Sequence, residues 1–311
     1  MINHAAVVGS GIMGVGIAQV LALAQLEVRL HDAAPEQLVK ARQRIADNLQ
    51  RQVEHGLLSP AQAQQALARI ELTDTLPVAV DGADFIVEAI PERLDWKLEL
   101  YTAIEAIAPP TAILVSNTST FPISALTQQL AHPARFVIAH FFNPAELVPL
   151  VEIVTMEKTD ETVVAATIEL LRRAGKAPVR LNREIPGFVA NRLQAALLRE
   201  ALYLVQEGIV SAADLDTIVA SGIGFRWAFL GPLEIADFGG LDTWQYVTEN
   251  LFPCLDRSTE PSVVLRDKVA HGELGIKSGT GFYTYSEEQI RDQLARRDDR
   301  FISLLHIKNV E

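Results

Sequence analysis

A glycine-rich segment near the start of the chain constrains the fold more than any other feature. Residues 9–14, G-S-G-I-M-G, follow the apolar run A-A-V-V and precede an apolar, helix-like run. The next apolar segment, E-V-R-L-H-D, ends at Asp32, roughly 20 residues after the first glycine, as in βαβ dinucleotide-binding units. The chain is therefore predicted to open with a strand, a tight turn and a helix of a doubly wound α/β sheet.

This segment has the chemistry to bind a dinucleotide. Its glycines let the backbone turn tightly and approach a pyrophosphate, and the helix N-terminus offers amide donors and a positive dipole. Asp32 can accept hydrogen bonds from a ribose hydroxyl and repel a 2′-phosphate, so NAD is favoured over NADP. The alternative is a glycine-rich turn that binds nothing. The predicted NAD-binding residues here are Gly9, Gly11, Ile12, Met13, Gly14 and Asp32.

Composition restricts the class of protein. With 311 residues, 49% of them hydrophobic and 21% charged, the chain is typical of a soluble globular protein with room for two domains. A net charge of -12 argues against a nucleic-acid partner, because a phosphate backbone would be repelled. Cys254 is the only cysteine, so we expect neither disulfides nor a thiolate metal site, and no other cluster suggests a metal. We see no signal peptide and no membrane span, and expect a cytoplasmic protein.

Residues 35–70 predict a helical hairpin inserted into the α/β pattern. Ser59 is a suitable N-cap for the second helix, with Pro60 at its first position and Gln62 completing a capping box. Within residues 33–70, basic side chains outnumber acidic ones although the whole chain is acidic. This excess indicates either an ordinary solvated helix face or a docking face for a phosphate-bearing substrate. The basic residues are Lys40, Arg42, Arg44, Arg51 and Arg69, against Glu36, Asp47 and Glu54.

Further apolar runs predict strands that continue the sheet. The segment Ser116–Ser119 ends one of these runs with four small polar residues. Because ligands of doubly wound sheets bind outside the carboxyl ends of the strands, Ser116, Asn117, Thr118 and Ser119 are expected where nicotinamide and substrate meet. Thr118 or Thr120 can instead act as an ordinary helix N-cap. The predicted strands are 83–90, 111–119 and 176–181.

The stretch Arg135–Val154 combines a histidine and a glutamate in a pattern suited to proton transfer. Pro144 and Pro149 break any helix, and the Val, Ile and Phe residues on either side favour two strands. His140 would stand at one strand end, with Glu152 on the neighbouring strand within reach. A histidine supported by a carboxylate is a suitable proton acceptor near neutral pH. The alternative is a buried core histidine beside a strand carboxylate.

The second half of the chain has a different pattern. Ile185-Pro186-Gly187 marks a boundary between a dinucleotide-binding domain, residues 1–185, and a second domain, residues 186–311. The helix that follows is apolar almost all round, so it must be buried in the domain core or in a subunit interface. The predicted fold is thus a Rossmann-type, mostly parallel α/β sheet with a helical-hairpin insertion, followed by an all-helical C-terminal domain.

Five segments together resemble the L-3-hydroxyacyl-CoA dehydrogenase family. They are G-S-G-I-M-G, V-E-A-I-P-E, S-N-T-S, H-F-F-N-P and P-G-F-V-A-N-R, in the family's order and spacing over nearly the whole chain. The resemblance implies that His140 is the catalytic base and Glu152 its orienting partner. It implies that Ser119 and Asn191 contact the substrate oxygen. Further positions that match NAD-binding residues of the family are Glu92, Lys97, Asn143 and Lys277.

The resemblance also implies an activity and an assembly. The expected reaction is NAD-dependent oxidation of an L-3-hydroxyacyl-CoA to the 3-ketoacyl-CoA, as in fatty-acid β-oxidation. The expected assembly is a homodimer formed through the helical domain. His140 would take the hydroxyl proton, while Ser119 and Asn191 would hydrogen-bond the oxygen as alkoxide character develops.

One segment departs from the family's usual pattern. Residues 222–232, G-I-G-F-R-W-A-F-L-G-P, are longer than the corresponding family segment. They look more like relatives that act on free acids, such as the gulonate dehydrogenase (lambda-crystallin), carnitine dehydrogenase and pyridine-carboxylate branches. Arg226 can pair bidentately with a substrate carboxylate, or form an interdomain or intersubunit salt bridge. A third possibility is a non-catalytic NAD-binding or structural protein on the same fold.

Overall fold

The computed structural model describes residues 2–308 and divides the chain into two compact units. The first unit holds the chain up to Phe188 and again from Ala295 onward, and the second holds Val189–Leu294. The predicted domains, 1–185 and 186–311, differ from this division in two places. The boundary falls slightly later, and the C-terminal segment returns to the first unit, where the side chain of Ile302 is buried.

The first unit is built on an eight-stranded sheet whose strand order is β3-β2-β1-β4-β5-β6-β7-β8. Neighbouring strands run parallel except β6 and β7, which are antiparallel. The order reverses beside β1, which creates the crevice where doubly wound sheets bind dinucleotides. The strands are β1 (His4–Val8), β2 (Glu27–His31), β3 (Ile70–Thr73), β4 (Phe85–Glu88), β5 (Ile113–Ser116), β6 (Phe136–Phe141), β7 (Leu150–Val154) and β8 (Ala177–Arg180).

Helices cover both faces of this sheet, and each face has its own apolar core. One core packs Ile17, Ile45 and Leu170 against the sheet, and the other packs Tyr101 and Leu126. The predicted α/β class is therefore confirmed. The helices of this unit before residue 188 are α1 (Ile12–Leu23), α2 (Pro35–Glu54), α3 (Pro60–Ala68), α4 (Leu76–Val80), α5 (Leu94–Glu105), α6 (Ile123–Thr127) and α7 (Glu161–Arg173), with a 3₁₀ turn at Pro133–Arg135.

The predicted helical hairpin is confirmed as α2 and α3. Ser59 caps α3 by accepting a hydrogen bond from the Gln62 amide, and the Gln62 side chain accepts one from the Ser59 amide, which completes the capping box. Helix α2 buries one stripe of apolar residues against the sheet and leaves its charged side chains outside. The short strand β3 and helix α4 that follow were not predicted, because four or five residues carry too little periodicity.

The second unit is all-helical, as predicted, and contains no named strand in residues 189–294. Few of its apolar side chains are buried: in the long helix α8, only Leu202 is. Its helices are α8 (Ala190–Gln206), α9 (Ala212–Ile218), α10 (Gly224–Trp227), α11 (Pro232–Gly239), α12 (Leu241–Leu251) and α13 (Val263–Ala270), with a π-helical segment Val219–Ile223 and a 3₁₀ turn Phe252–Cys254. The last helix, α14 (Glu287–Lys308), begins in this unit and continues into the first.

No single helix within residues 2–308 combines the length and apolarity of a membrane span. One bent pair, Ala212–Trp227 with Pro232–Gly239, passes that test by length and composition alone, across an 85° bend.

Candidate active site

The glycine-rich turn between β1 and α1 has the geometry of a pyrophosphate cradle. Gly9 has a φ of +104°, and a Cβ there would lie 2.6 Å from the carbonyl oxygen of Ala89. A Cβ on Gly14 would lie 1.8 Å from the carbonyl oxygen of Gly9. A Cβ on Gly11 would meet nothing within 4 Å, so the space in front of the turn is open. These residues fit a bound dinucleotide, whose pyrophosphate needs close backbone approach at a helix N-terminus.

Asp32 lies at the end of β2 and is tied to the glycine-rich turn. Its Oδ2 accepts hydrogen bonds from the Ser10 amide (2.9 Å) and hydroxyl (2.7 Å), and its Oδ1 accepts one from the Ala34 amide (3.1 Å). Burial by itself would raise the pKa of this carboxyl. The hydrogen bonds from Ser10 lower the pKa by more, so the net pKa is below its usual value. Asp32 therefore stays ionised, and Oδ1 keeps acceptor capacity for a ribose hydroxyl.

His140 and Glu152 face each other across the antiparallel strands β6 and β7, where they are direct register partners. His140 Nδ1 lies 3.0 Å from Glu152 Oε2, and the two side chains are only 7% and 3% exposed. The predicted contact is confirmed. The rings of Phe142 and Phe188 pack on the imidazole, with centroids 4.5 and 5.5 Å away. With Nδ1–H donating to Glu152, Nε2 is left as the proton acceptor.

Two groups fix the strand ends around this pair: Asn117, which was predicted at this end of the sheet, and Lys176, which the sequence analysis missed. Asn117 Oδ1 accepts a hydrogen bond from the Phe141 amide (2.9 Å), which links the ends of β5 and β6. The buried ammonium of Lys176 donates to the carbonyl oxygens of Ala145 (2.5 Å) and Val148 (3.0 Å), in the loop between β6 and β7. Burial lowers the pKa of Lys176 to about 8. The only sequence signal for Lys176 is that this lysine is the first residue of the predicted strand 176–181.

Glu92 holds the turn that carries Ser119. Its Oε1 accepts hydrogen bonds from the amides of Ser119 (3.1 Å) and Thr120 (3.2 Å) and from the hydroxyl groups of Thr118 and Thr120. Thr118 is buried, and its hydroxyl also accepts from the Phe121 amide (3.1 Å). Ser119 is only half-buried, and no hydrogen bond of its hydroxyl is found among the described residues. Glu92 thus positions the backbone from which the Ser119 hydroxyl is presented.

Lys97 and Glu88 lie behind this turn. The Lys97 ammonium, 1% exposed, is 2.6 Å from Glu88 Oε1 and 3.2 Å from Glu92 Oε2. The Lys97 ammonium thus already pairs with two carboxylates. A direct contact of Lys97 with the cofactor stays a prediction. Glu88 was not predicted as a site residue. The signal that could have found it is an acidic residue ending an otherwise apolar strand.

The remaining predicted residues lie elsewhere. Asn143 is exposed in the loop after β6. Asn191, on the first turn of α8, is half-buried, and Lys277 is exposed in a turn between Gly275 and Thr280, which form an isolated β-bridge. Arg226 is exposed on α10, and its guanidinium makes no ion pair with any residue in 2–308. The predicted roles of these residues toward cofactor or substrate stay predictions.

Comparison with known families assigns both parts of the chain. Residues 4–185 match the family model "3-hydroxyacyl-CoA dehydrogenase, NAD binding domain", and residues 187–285 match "3-hydroxyacyl-CoA dehydrogenase, C-terminal domain". The second model ends before α14 begins. The match identifies the dinucleotide of the glycine-rich turn as NAD.

Individual relatives agree on the family and differ in substrate. The chain is 34% identical to 5-formyl-3-hydroxy-2-methylpyridine 4-carboxylate 5-dehydrogenase of Mesorhizobium japonicum, covering 99% of this chain and 98% of the relative. It is 36% identical to a probable 3-hydroxybutyryl-CoA dehydrogenase of Bacillus subtilis, covering 92% of this chain and 99% of that protein. A solved structure of a 5-formyl-3-hydroxy-2-methylpyridine 4-carboxylic acid 5-dehydrogenase superposes with a TM-score of 0.90 at 34% identity, covering 99% and 98% of the two chains. The chain therefore belongs to the 3-hydroxyacyl-CoA dehydrogenase family of NAD-dependent dehydrogenases that act on CH–OH groups.

Proposed function

We propose that the chain oxidises the CH–OH group of a free carboxylate substrate, with NAD as acceptor, rather than the CH–OH group of a CoA thioester. The main observation in support is that the C-terminal helix α14 contacts basic side chains at the end of the hairpin helix α2. Asp299 of α14 lies 3.0 Å from both Arg51 Nη1 and His55 Nε2 of the α2 end.

The chemical step needs a proton acceptor and a fixed oxygen. NAD supplies the hydride acceptor when bound. His140 accepts the hydroxyl proton at Nε2, and Glu152 stabilises the resulting imidazolium through Nδ1. The Ser119 hydroxyl donates to the substrate oxygen as alkoxide character develops, and Asn191 has the predicted second role there. The alcohol thus becomes a carbonyl while one hydride and one proton leave it. The four predicted catalytic side chains favour an enzyme over a purely structural NAD-binding protein.

Fewer positive charges of the hairpin are available to an external phosphate than its sequence indicates, because two of its arginines are paired. Arg51 pairs with Asp299, and Arg69 pairs with Glu27. His306 Nε2, also on α14, lies 2.7 Å from the carbonyl oxygen of His55 and adds to the contact. A helix bonded to the α2 end leaves this part of the face unavailable to a phosphate-bearing substrate. The Mesorhizobium relative, named for a pyridine carboxylate, aligns with 99% of this chain.

Arg226 is the proposed carboxylate-binding residue. Its side chain is exposed on α10, with no acidic partner in the described part of the chain. A guanidinium presents two parallel N–H groups that match a carboxylate, and a CoA thioester lacks that group at the acyl carbon.

A substrate panel tests the proposal. With NAD, we expect turnover of small hydroxy acids, or of aldehydes bearing a carboxylate, and with NADH little turnover of acetoacetyl-CoA. In Arg226→Ala, the KM for the free acid should rise by about tenfold or more, because one charge-assisted pair is lost. Arg266→Ala, which removes another exposed arginine of the second unit, should leave KM unchanged. Efficient reduction of acetoacetyl-CoA, with no free acid turned over, would refute the proposed substrate class.

The 3-hydroxyacyl-CoA reaction is the second candidate. It is supported by the Bacillus relative and by three cations of α2 that stay exposed and make no ion pair within residues 2–308. Those residues are Lys40, Arg42 and Arg44. If this candidate holds, reversing their charges should raise the KM for acetoacetyl-CoA without changing that for a free acid.

We propose in addition that the chain forms a homodimer through the second unit. Large apolar side chains there are exposed, including Leu193 and Leu198 of α8 at 60% and 51% and Phe238 of α11 at 78%. Large apolar side chains left exposed in this number on one domain favour a subunit interface. Light scattering should give twice the chain mass of 34.1 kDa, and Leu198→Glu should shift the protein toward monomer. A monomeric wild-type protein at micromolar concentration would contradict this assembly.

A further inference from the structure

The carboxylate of Glu88, at the end of β4, accepts hydrogen bonds from four donors. Its Oε2 accepts hydrogen bonds from the hydroxyl groups of Tyr101 (2.6 Å) and Ser116 (2.7 Å). Its Oε1 accepts from the Ile90 amide (2.9 Å) and from the Lys97 ammonium (2.6 Å). Glu88 is 0% exposed. Four donors on one buried carboxyl match the acceptor-only, ionised form.

Ser116 shows the direction of these bonds. Its Oγ accepts from the Thr118 amide (3.2 Å), which leaves its own proton for Glu88. Burial and the charge of Glu88 raise the pKa of Tyr101 far above its usual value, so its hydroxyl remains a donor. Both hydroxyl groups therefore contribute hydrogen bonds and no charge.

Glu88 belongs to a group of three charged side chains that carries net negative charge. Lys97 pairs with Glu88 and with Glu92 at once, so one ammonium faces two carboxylates. Burial raises the pKa of Glu92, but its hydrogen bond from Thr118 and the charge of Lys97 outweigh that effect and lower the pKa below its usual value. Glu92 is thus ionised near neutral pH. We call Glu88, Lys97 and Glu92 the acidic triad. Its two carboxylates and one ammonium leave one net negative charge.

The position of the acidic triad relates it to one half of the cofactor. Asp32, at the end of β2, is predicted to bind the ribose on the adenosine side, and the order of the strands reverses at β1. A dinucleotide that spans this crevice places its nicotinamide half over the carboxyl ends of β4 and β5. Those ends carry Glu88 and Ser116, and the turn held by Glu92 follows directly. The nicotinamide ring is a cation in NAD⁺ and neutral in NADH.

We propose that the acidic triad biases the site toward the oxidised cofactor, with Glu88 as a positioning residue that acts through its charge and through Lys97. A net negative charge close to the ring stabilises the pyridinium cation and offers nothing comparable to the dihydropyridine. Few water molecules screen the charges of Glu88 and Lys97, which are buried, whereas the charge of the partly exposed Glu92 is screened more. The triad thereby raises the affinity for NAD⁺ relative to the affinity for NADH.

The dissociation constants of the two cofactor forms test this directly, without any substrate. In Glu88→Gln, calorimetry should show the Kd for NAD⁺ rising by about tenfold and that for NADH by less than about threefold, since only the cation loses its counter-charge. Glutamine can keep its carbonyl oxygen toward Lys97. Its amide group then faces the hydroxyl groups of Tyr101 and Ser116, which can rotate to accept.

Matched controls separate charge from structure. Tyr101→Phe and Ser116→Ala each remove one hydrogen bond from Glu88 but leave every charge in place, so the ratio of the two Kd values should stay as in the wild type. Glu92→Gln, at a side chain 35% exposed, removes the same charge with less risk to folding and should shift the ratio in the same direction as Glu88→Gln.

The outcomes are distinct. A selective loss of NAD⁺ affinity in both glutamine variants supports the proposal. Equal weakening of NAD⁺ and NADH, or the same selective loss in the two hydroxyl variants, would show that Glu88 only holds the turn together. Should Glu88→Gln fail to fold, the Glu92→Gln ratio alone decides, because an unchanged ratio there overturns the proposed bias.

Discussion

In a His140→Ala variant we expect kcat/KM to fall by about 10³-fold or more, because the alcohol proton loses its acceptor. The Kd for NAD should change by less than about twofold, since His140 is not one of the groups predicted to hold the cofactor. Glu152 loses the donor that lies 3.0 Å away, so some stability is lost as well. Steady-state kinetics and calorimetry measure the two effects separately.

A second variant distinguishes the proton acceptor from the hydrogen bond that supports it. In His140→Asn the side-chain amide can take the place of Nδ1–H toward Glu152 but offers nothing in place of Nε2. We expect activity as low as in the alanine variant with a smaller loss of thermal stability. His132→Ala, at an exposed histidine of the same unit, serves as the control and should be fully active. Activity near wild type in either His140 variant would rule out the proposed mechanism.

The glycine-rich turn gives the other large effect. In Gly14→Ala the new Cβ would lie 1.8 Å from the carbonyl oxygen of Gly9. The backbone fixes the position of both atoms, so neither can rotate away. The turn must therefore shift, which we expect to destabilise the first unit by about 3 kcal/mol or more and to remove NAD binding. Thermal melts with and without NAD measure both losses.

Gly11→Ala is the matched comparison. A Cβ at Gly11 meets nothing within 4 Å, and its φ of -64° suits alanine, so the melting temperature without NAD should be unchanged. The methyl group would nevertheless occupy the space through which a pyrophosphate approaches. We expect the Kd for NAD to rise by at least about tenfold, a loss of about 1.4 kcal/mol. If Gly11→Ala binds NAD as wild type does, the cofactor does not approach the turn as proposed.

Much of the first unit was predictable because its signals are local. The strand, glycine turn and helix around residues 9–14 occur within one short segment, and Ser59 and Gln62 are three residues apart. The contact of His140 with Glu152 was also predictable, because two strands joined by a short loop pair as neighbours. Periodicity and turn chemistry suffice in such cases.

Contacts between distant segments were not predictable. The pairing of Arg51 with Asp299 joins residues far apart in the chain, and no local pattern indicates that α14 returns to the hairpin. Arg51 therefore looked like a free surface cation in the sequence. The fold shows that Arg51 is paired, and this pairing is one argument for the proposed free-acid substrate.

The sequence by itself determined the fold class, the cofactor and the His140–Glu152 pair, since each depends on residue types at short, regular spacings. Only the tertiary structure decided that Glu92 pairs with the buried Glu88 and Lys97 through the Lys97 ammonium, that Glu92 holds the turn of Ser119, and that α14 covers the end of α2. The physical reason is that burial and long-range hydrogen bonds arise from the order of the strands in the sheet, which places the ends of β4 and β5 side by side. A glutamate at the end of an apolar strand shows its chemical type in the sequence, but the four donors around it are assembled only by the fold.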